Sequence, residues 1–200
     1  MTNTRTLLCA AILAATSVAA SAGDTFTNPV IRRSAPDPTV IRADDGHFYL
    51  YSTEDTPNTP IYRSDNLVDW TLIGTAFSDT SRPSWNPKGG IWAPDINKIG
   101  DKYVLYYSKS EWMGLKDAGV GVATADRPEG PFTDHGCIVS YHNTGVWCSI
   151  DPFFIEDEGR KYLIWGSYWD TFGIELTADG LSVKPGARKV HIASNFMEGS

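Results

Sequence analysis

A short motif recurs three times at nearly constant spacing, and that period restricts the fold more than any other feature of the chain. The copies are Ala35-Pro36-Asp37-Pro38, Ala93-Pro94-Asp95-Ile96 and Ser149-Ile150-Asp151-Pro152, their aspartates 58 and then 56 residues apart. Each is followed by a Gly-containing turn (Gly46, Gly100 or Gly159) and then by a run dense in Tyr, Phe, Trp and aliphatic residues that closes on serine: residues 46–52, 100–108 and 159–167. Aromatic and β-branched runs fenced by Gly, Pro, Asp and Asn read as strands. Within the first unit such runs fall at 39–41, 48–52, 61–63 and 70–73. The second has them at 96–99, 103–108 and 120–124, followed by the turn 127–132, and the third at 153–156, 162–166, 173–176 and 181–183. The turns after the third strands also line up, as Ser64-Asp65-Asn66-Leu67, Thr124-Ala125-Asp126-Arg127 and Thr177-Ala178-Asp179-Gly180.

Four-stranded units repeating at this period, with no convincing helical periodicity, point to an all-β protein of β-propeller type, because a sandwich or barrel shows evenly spaced strands without a higher-order repeat. A fourth unit is expected to open at 190–193. The chain thus holds about three blades and the start of a fourth, fewer than the four that ring closure needs, and reads as C-terminally truncated. If units of this size surround an axis, the three aspartates sit at the same end of their blades and aim at one centre. Like charges converge against their own repulsion mainly where chemistry requires it. For any single Asp-Pro the simpler reading is a turn capped by its own side chain; three copies in register favour a functional mouth.

Residues 1–22 carry Arg5, an apolar stretch over 7–20 and the small-residue site Ala20-Ser21-Ala22, the pattern of a secretory signal peptide cleaved before Gly23. The mature domain is then 23–200, in a secreted or periplasmic setting, and no later apolar run reaches the roughly 18 residues of a membrane span. Export leaves Cys137 and Cys148 in an oxidising compartment, either as a disulfide or as two buried thiols. Net charge is −7 with no basic block, which disfavours a phosphate backbone as partner. The four histidines and three cysteines show no metal-ligand spacing. Most of the seven Trp and nine Tyr read as core, since aromatics suit half-buried strands, but Trp and Tyr near carboxylates are also what a site for flat sugar faces uses. Trp92 and Trp147, close in sequence to Asp95 and Asp151, are the candidates to stack on one, with packed strand residues as the competing reading. Trp70 and Trp165 fall at repeat positions and read as core. His142 and Asn143 lie in a polar loop, with a place lining the cleft as the less favoured reading, and Ser167 reads as structural.

Together, Ala35-Pro36-Asp37-Pro38-Thr39-Val40, Trp92-Ala93-Pro94-Asp95, Ser149-Ile150-Asp151-Pro152 and Glu198-Gly199 resemble glycoside hydrolase family 43, over residues from about 28 to 200. The resemblance implies a five-bladed β-propeller acting on arabinose- and xylose-containing polysaccharides. It implies Asp37 as the general base that activates water, Asp151 as the residue that orients the acid and raises its pKa, and Glu198 as the general acid. Asp95 matches an acidic, non-catalytic position, either mouth structure or substrate contact. No cofactor is required, and a metal ion in the central channel is implied only by the resemblance. The partner is an oligo- or polysaccharide, with no nucleic acid and no membrane insertion. Inverting hydrolysis needs an acid and a base about 6.5–9.5 Å apart on opposite faces of the sugar, with one carboxyl kept protonated while the other stays charged.

Other propeller glycosidases fit less well. The segment from Ser64 to Trp70 lacks the glycine and spacing of a sialidase turn, and a fructanase-like Trp-Met-Asn-Asp-Pro start is missing. A non-catalytic carbohydrate-binding propeller and an inactive fragment stand as the alternatives to an enzyme.

Overall fold

The computed structural model describes residues 25–194. Its twelve strands form three antiparallel four-stranded sheets. The first contains β1 (Thr39–Arg42), β2 (Phe48–Tyr51), β3 (Pro60–Ser64) and β4 (Thr71–Thr75), in that spatial order. The second contains β5 (Gly90–Ile99), β6 (Lys102–Ser110), β7 (Gly119–Ala125) and β8 (Thr133–Ser140). A single helical turn, α1 (Tyr141–Thr144), leads to the third sheet of β9 (Phe153–Asp157), β10 (Arg160–Trp165), β11 (Asp170–Glu175) and β12 (Val190–Ser194). Strand β1 packs on β5, and β5 on β9, so the first strand of each sheet faces a common axis. These are three blades of a β-propeller.

The middle blade explains why the aromatic runs read so clearly. Side chains alternate faces along a strand, and β6 buries both of its faces. Tyr103, Leu105 and Tyr107 join a core shared with blade 1, where Tyr49, Tyr51, Ile61, Phe77 and Ile91 meet them. Val104 and Tyr106 face the other way, into a core shared with blade 3 that includes Val120, Val122, Phe154, Leu163 and Trp165. A strand covered on both sides has no solvent-facing positions to alternate with, so its sequence runs unbroken in aromatic and aliphatic residues from Tyr103 to Tyr107. Burying side chains of this size stabilises the fold by about 1.5–3 kcal/mol each.

Two expectations about strand boundaries are corrected. Residues 190–193 do not open a fourth blade: β12 pairs antiparallel with β11 and is the outermost strand of blade 3. Residues 181–183 supply only the bridge Leu176–Val183, inside a long excursion between the two strands. The edge strand thus returns after an insertion that separates it in sequence from its partner. Trp70 is also not core. It is half-buried and its indole N–H donates to the Leu67 carbonyl (3.0 Å), whereas Trp165 is fully buried as expected. Cys137 and Cys148 are both free thiols. The expected signal peptide and Glu198 lie outside the described residues. Among those residues, no helix is long and apolar enough to cross a membrane.

Candidate active site

Each blade enters its inner strand through the same backbone device. A residue with left-handed φ stands directly before a proline: Asp37 (φ 49°), Ala93 (φ 39°) and Asp151 (φ 57°). Side chains other than glycine rarely adopt this conformation, which costs on the order of 1–3 kcal/mol and persists only where the surroundings impose it. Here the surroundings are hydroxyls at the end of the second strand of the preceding blade. The Ala93 N–H donates to Thr53 Oγ1 (2.7 Å), and the Asp151 N–H donates to Ser108 Oγ (2.8 Å). A second ladder runs just beyond the first, with the Ile96 N–H donating to Thr39 Oγ1 (3.4 Å) and the Phe154 N–H to Asp95 Oδ2 (2.7 Å).

These two ladders correct the register expected for the three aspartates. Ala93, not Asp95, occupies the place of Asp37 and Asp151, and Asp95 matches Thr39 two residues further on. The proline marks the register: it follows Asp37, Ala93 and Asp151, while a bulge between Trp92 and Asp95 takes up the offset. Asp95 lies within β5, where its carboxylate accepts from Phe154 of the next blade and from Asn97 Nδ2 (2.9 Å). Burial is the dominant influence on it and lifts its pKa to about 6 against those two hydrogen bonds, which favour the charged form.

Asp37 is exposed at the mouth, and its Oδ2 accepts the Thr53 hydroxyl at 2.5 Å. Asp151 is half-buried. Its pKa is pushed up to about 6, first by burial and also by the charge of Asp37, while a hydrogen bond from Ser167 pulls the other way. The charge of Asp37 thus reaches Asp151, 114 positions away in the chain.

Trp92 and Trp147 each neighbour a residue that hydrogen-bonds Asp151, Ser108 and Ser167 respectively. Trp92 is the cross-strand partner of Ser108, the residue that holds the Asp151 backbone, and its indole lies against Gly90, where a Cβ would approach Nε1 to 2.3 Å. Trp147 is 44% exposed, meets Tyr141 edge-on at 5.3 Å between centroids, and has Lys116 Nζ 4.8 Å from its ring. Together with Ser167, Trp169 and Phe172 it lines a cleft of about 180 Å³. Gly166 makes this cleft geometrically feasible. At φ 128° its missing side chain lets the chain pass close to Asp170, whose carbonyl oxygen would sit 2.2 Å from a Cβ. His142 and Asn143 fall on α1 and are exposed, Asn143 capping its own turn through Ser140.

Behind the mouth, Arg82 grips both carboxylate oxygens of Glu54, by Nη2 to Oε1 (2.5 Å) and Nη1 to Oε2 (2.7 Å). Burial alone would raise the Glu54 pKa, but Arg82 and the N–H groups of Asn58 and Ile91 overcome it and hold the carboxyl below its ordinary range. Glu54 bonds Ile91 through both its backbone N–H and its side chain, which anchors the segment carrying Trp92.

A family model described as "Glycosyl hydrolases family 43" matches residues 26–200. The chain belongs to glycoside hydrolase family 43. Similar family proteins include the probable arabinan endo-1,5-alpha-L-arabinosidase A of Aspergillus flavus, 33% identical over 73% of this chain and 46% of the relative. The arabinan endo-1,5-alpha-L-arabinosidase C of Emericella nidulans is 33% identical over 77% of this chain and 48% of its own length. Among solved structures, the α-L-arabinanase of Cellvibrio cellulosa superposes with a TM-score of 0.72 at 27% identity, over 82% of this chain and 54% of that one. The same arabinanase complexed with arabinohexaose gives 0.71 at 26% identity, over 81% and 54%. This family 43 chain thus spans about half the length of the relatives it matches, and its three sheets are part of their five-bladed propeller.

Of the residues singled out in the sequence, the structure sets the charge of Asp37 against Asp151 and turns Asp95 toward the joint between blades 2 and 3. It pairs Trp92 with Ser108 and puts Trp147 in a cleft with Ser167, both serines being residues that hydrogen-bond Asp151. Thr53, Ser108 and Trp169 were not singled out. The only sequence signal for the two hydroxyls is that Ser108 closes an aromatic run and Thr53 directly follows one. Among the described residues no three His, Cys, Asp or Glu side chains form a set that could hold a metal ion. The channel ion implied by resemblance thus finds no such ligand set among those residues.

Proposed function

We propose that the protein is a secreted inverting glycosidase that hydrolyses α-L-arabinofuranosyl linkages of arabinan. The observation that carries the reading is the half-buried Asp151, its pKa pushed up to about 6 by burial and by the charge of the exposed Asp37, with the exposed ring of Trp147 in the cleft also lined by Ser167, the hydrogen-bond partner of Asp151. Arabinan is favoured over xylan by the relatives, which are named as arabinan arabinosidases, and by the solved arabinanase holding arabinohexaose.

In this reading Asp37 is the base. Thr53 binds one carboxylate oxygen and leaves Oδ1 to take a proton from the attacking water. Glu198 is the general acid that protonates the leaving oxygen. Asp151 orients that acid and, through its negative charge, raises the acid's pKa so that it stays protonated while Asp37 is ionised. Trp147 and Trp92 give apolar faces to the pentose rings, and Asp95 serves the joint between blades rather than the sugar. The apolar N-terminal segment with its Ala20-Ser21-Ala22 site supports export.

The test is hydrolysis of linear arabinan, nitrophenyl arabinofuranoside and nitrophenyl xyloside by the full open reading frame, with the anomeric form of the first product followed by NMR. Release of inverted arabinose-containing product is expected. Folded protein inactive on all three substrates, or binding arabinan without cleaving it, would overturn the reading in favour of a carbohydrate-binding propeller, and a retained anomer would overturn the assigned roles.

A further inference from the structure

We infer that Thr53 is a positioning residue for Asp37, its side chain committed by the neighbouring blade to holding that carboxylate; this rests on the reading of Asp37 as the base. Three bonds converge on Thr53. Its N–H donates to the Pro36 carbonyl (3.0 Å), its Oγ1 accepts the Ala93 N–H of blade 2 (2.7 Å), and its hydroxyl faces Asp37 Oδ2 at 2.5 Å. A backbone N–H can only donate, so the hydroxyl proton of Thr53 is not needed by Ala93 and points at the carboxylate. The chain N–H to hydroxyl to carboxylate is polarised in one direction, and each bond strengthens the next. Blade 2 thereby sets the orientation of a side chain on blade 1, although no residue of blade 2 needs to touch the reacting atoms.

The contact of hydroxyl with carboxylate recurs in blade 3, which argues against accidental packing. Ser167 lies two residues beyond the end of the second strand of that blade, as Thr53 does in blade 1, is 7% exposed and hydrogen-bonds Asp151. In blade 2 the corresponding left-handed residue is Ala93, which has no carboxylate to hold, and there Ser108 Oγ accepts from the Asp151 backbone of the next blade. Hydroxyls at strand ends therefore meet side-chain carboxylates in the two blades whose left-handed residue is an aspartate.

The experiment measures kcat and KM on linear arabinan for Thr53→Val, Thr53→Ser and Asp37→Asn in the full open reading frame, well below the melting temperature of each. Valine keeps the shape and removes the hydroxyl. The expected result is a fall in kcat of roughly ten- to hundredfold, the effect of losing one hydrogen bond to a charged group, with KM changed little and Thr53→Ser restoring most of the rate. If Thr53 only seals the joint between blades, Thr53→Val lowers the melting temperature and leaves kcat unchanged, which overturns the inference. Thr53→Cys, of similar size with a much weaker donor, replaces the valine variant should that one not fold. An active Asp37→Asn overturns the reading of the base itself and the inference with it. An inactive Asp37→Asn beside a fully active Thr53→Val overturns the inference alone.

Discussion

Replacing Asp95 with asparagine should make the protein more stable at neutral pH, although it alters a buried hydrogen-bonded carboxylate. The pKa of Asp95 rises from 3.8 to about 6, and burial outweighs the two donors, Phe154 N–H and Asn97 Nδ2. At about 1.36 kcal/mol per pH unit, keeping this group charged at pH 7 costs the native state about 3 kcal/mol relative to an ordinary aspartate. Because the folded pKa is raised, the native state binds more protons than the unfolded state between about pH 4 and 6. The contribution of Asp95 is therefore favourable below pH 4 and is lost as pH rises through 6. An asparagine Oδ1 still accepts from Phe154, and Asn97 can turn its amide to present oxygen to the new Nδ2. Some of the recovered energy is offset by the weaker neutral hydrogen bonds, so a gain of about 1–2 kcal/mol is expected at pH 7.5, a rise of a few degrees in Tm, shrinking to nothing near pH 4. Urea unfolding of both proteins at pH 4.5 and 7.5 measures it directly, and the difference between the two proteins cancels Asp151, whose pKa is raised in the same direction. A variant less stable than the parent at pH 7.5, or a difference that does not change with pH, would refute the argument.

Other perturbations follow from the same geometry. Gly166→Ala places a Cβ 2.2 Å from a backbone oxygen at φ 128° and should destabilise by several kcal/mol, read from the urea midpoint, because backbone cannot yield as a flexible side chain would. Trp147→Ala should raise KM for arabinan with little change in kcat and a melt within about 0.5 kcal/mol of the parent, since its ring is 44% exposed. Ser167→Ala removes the hydrogen bond that pulls the Asp151 pKa down, so the acidic limb of the activity profile should move to higher pH; an unmoved limb would mean that Asp151 does not titrate in the working range.

The sequence reading succeeded where burial is two-sided and failed where the chain is irregular. Strand β6 was plain because both of its faces are core. By contrast, the first half of β5 contains Gly90, Pro94 and a bulge, which look like a turn. Strand β8 reads Thr-Asp-His-Gly-Cys before its apolar end, as suits a strand at the blade's edge. Strand β12 was taken for a new blade because its partner β11 ends fifteen residues earlier. At the site, the aspartates and tryptophans were legible as residue types. Their register was not, since the position of Asp95 is decided by the hydrogen bonds Ile96–Thr39 and Phe154–Asp95, whose ends lie 57 and 59 residues apart. Thr53 and Ser108 were overlooked for the same reason: their partners Ala93 and Asp151 are 40 and 43 residues away.

The central claim is that Asp37 is the base of an arabinan hydrolase and Asp151 the carboxylate that orients its acid and raises the acid's pKa, and the most direct test is the rate of linear arabinan cleavage by the full open reading frame carrying Asp37→Asn or Asp151→Asn. Asp37 is exposed, so its variant should fold like the parent and bind arabinan, yet lose roughly 10²–10⁴-fold in kcat, the usual worth of a positioned general base. Asp151→Asn should also lose kcat, with the basic limb of the remaining activity shifted to lower pH as the acid loses its charged neighbour. Wild-type rates in a folded Asp37→Asn protein would contradict the account.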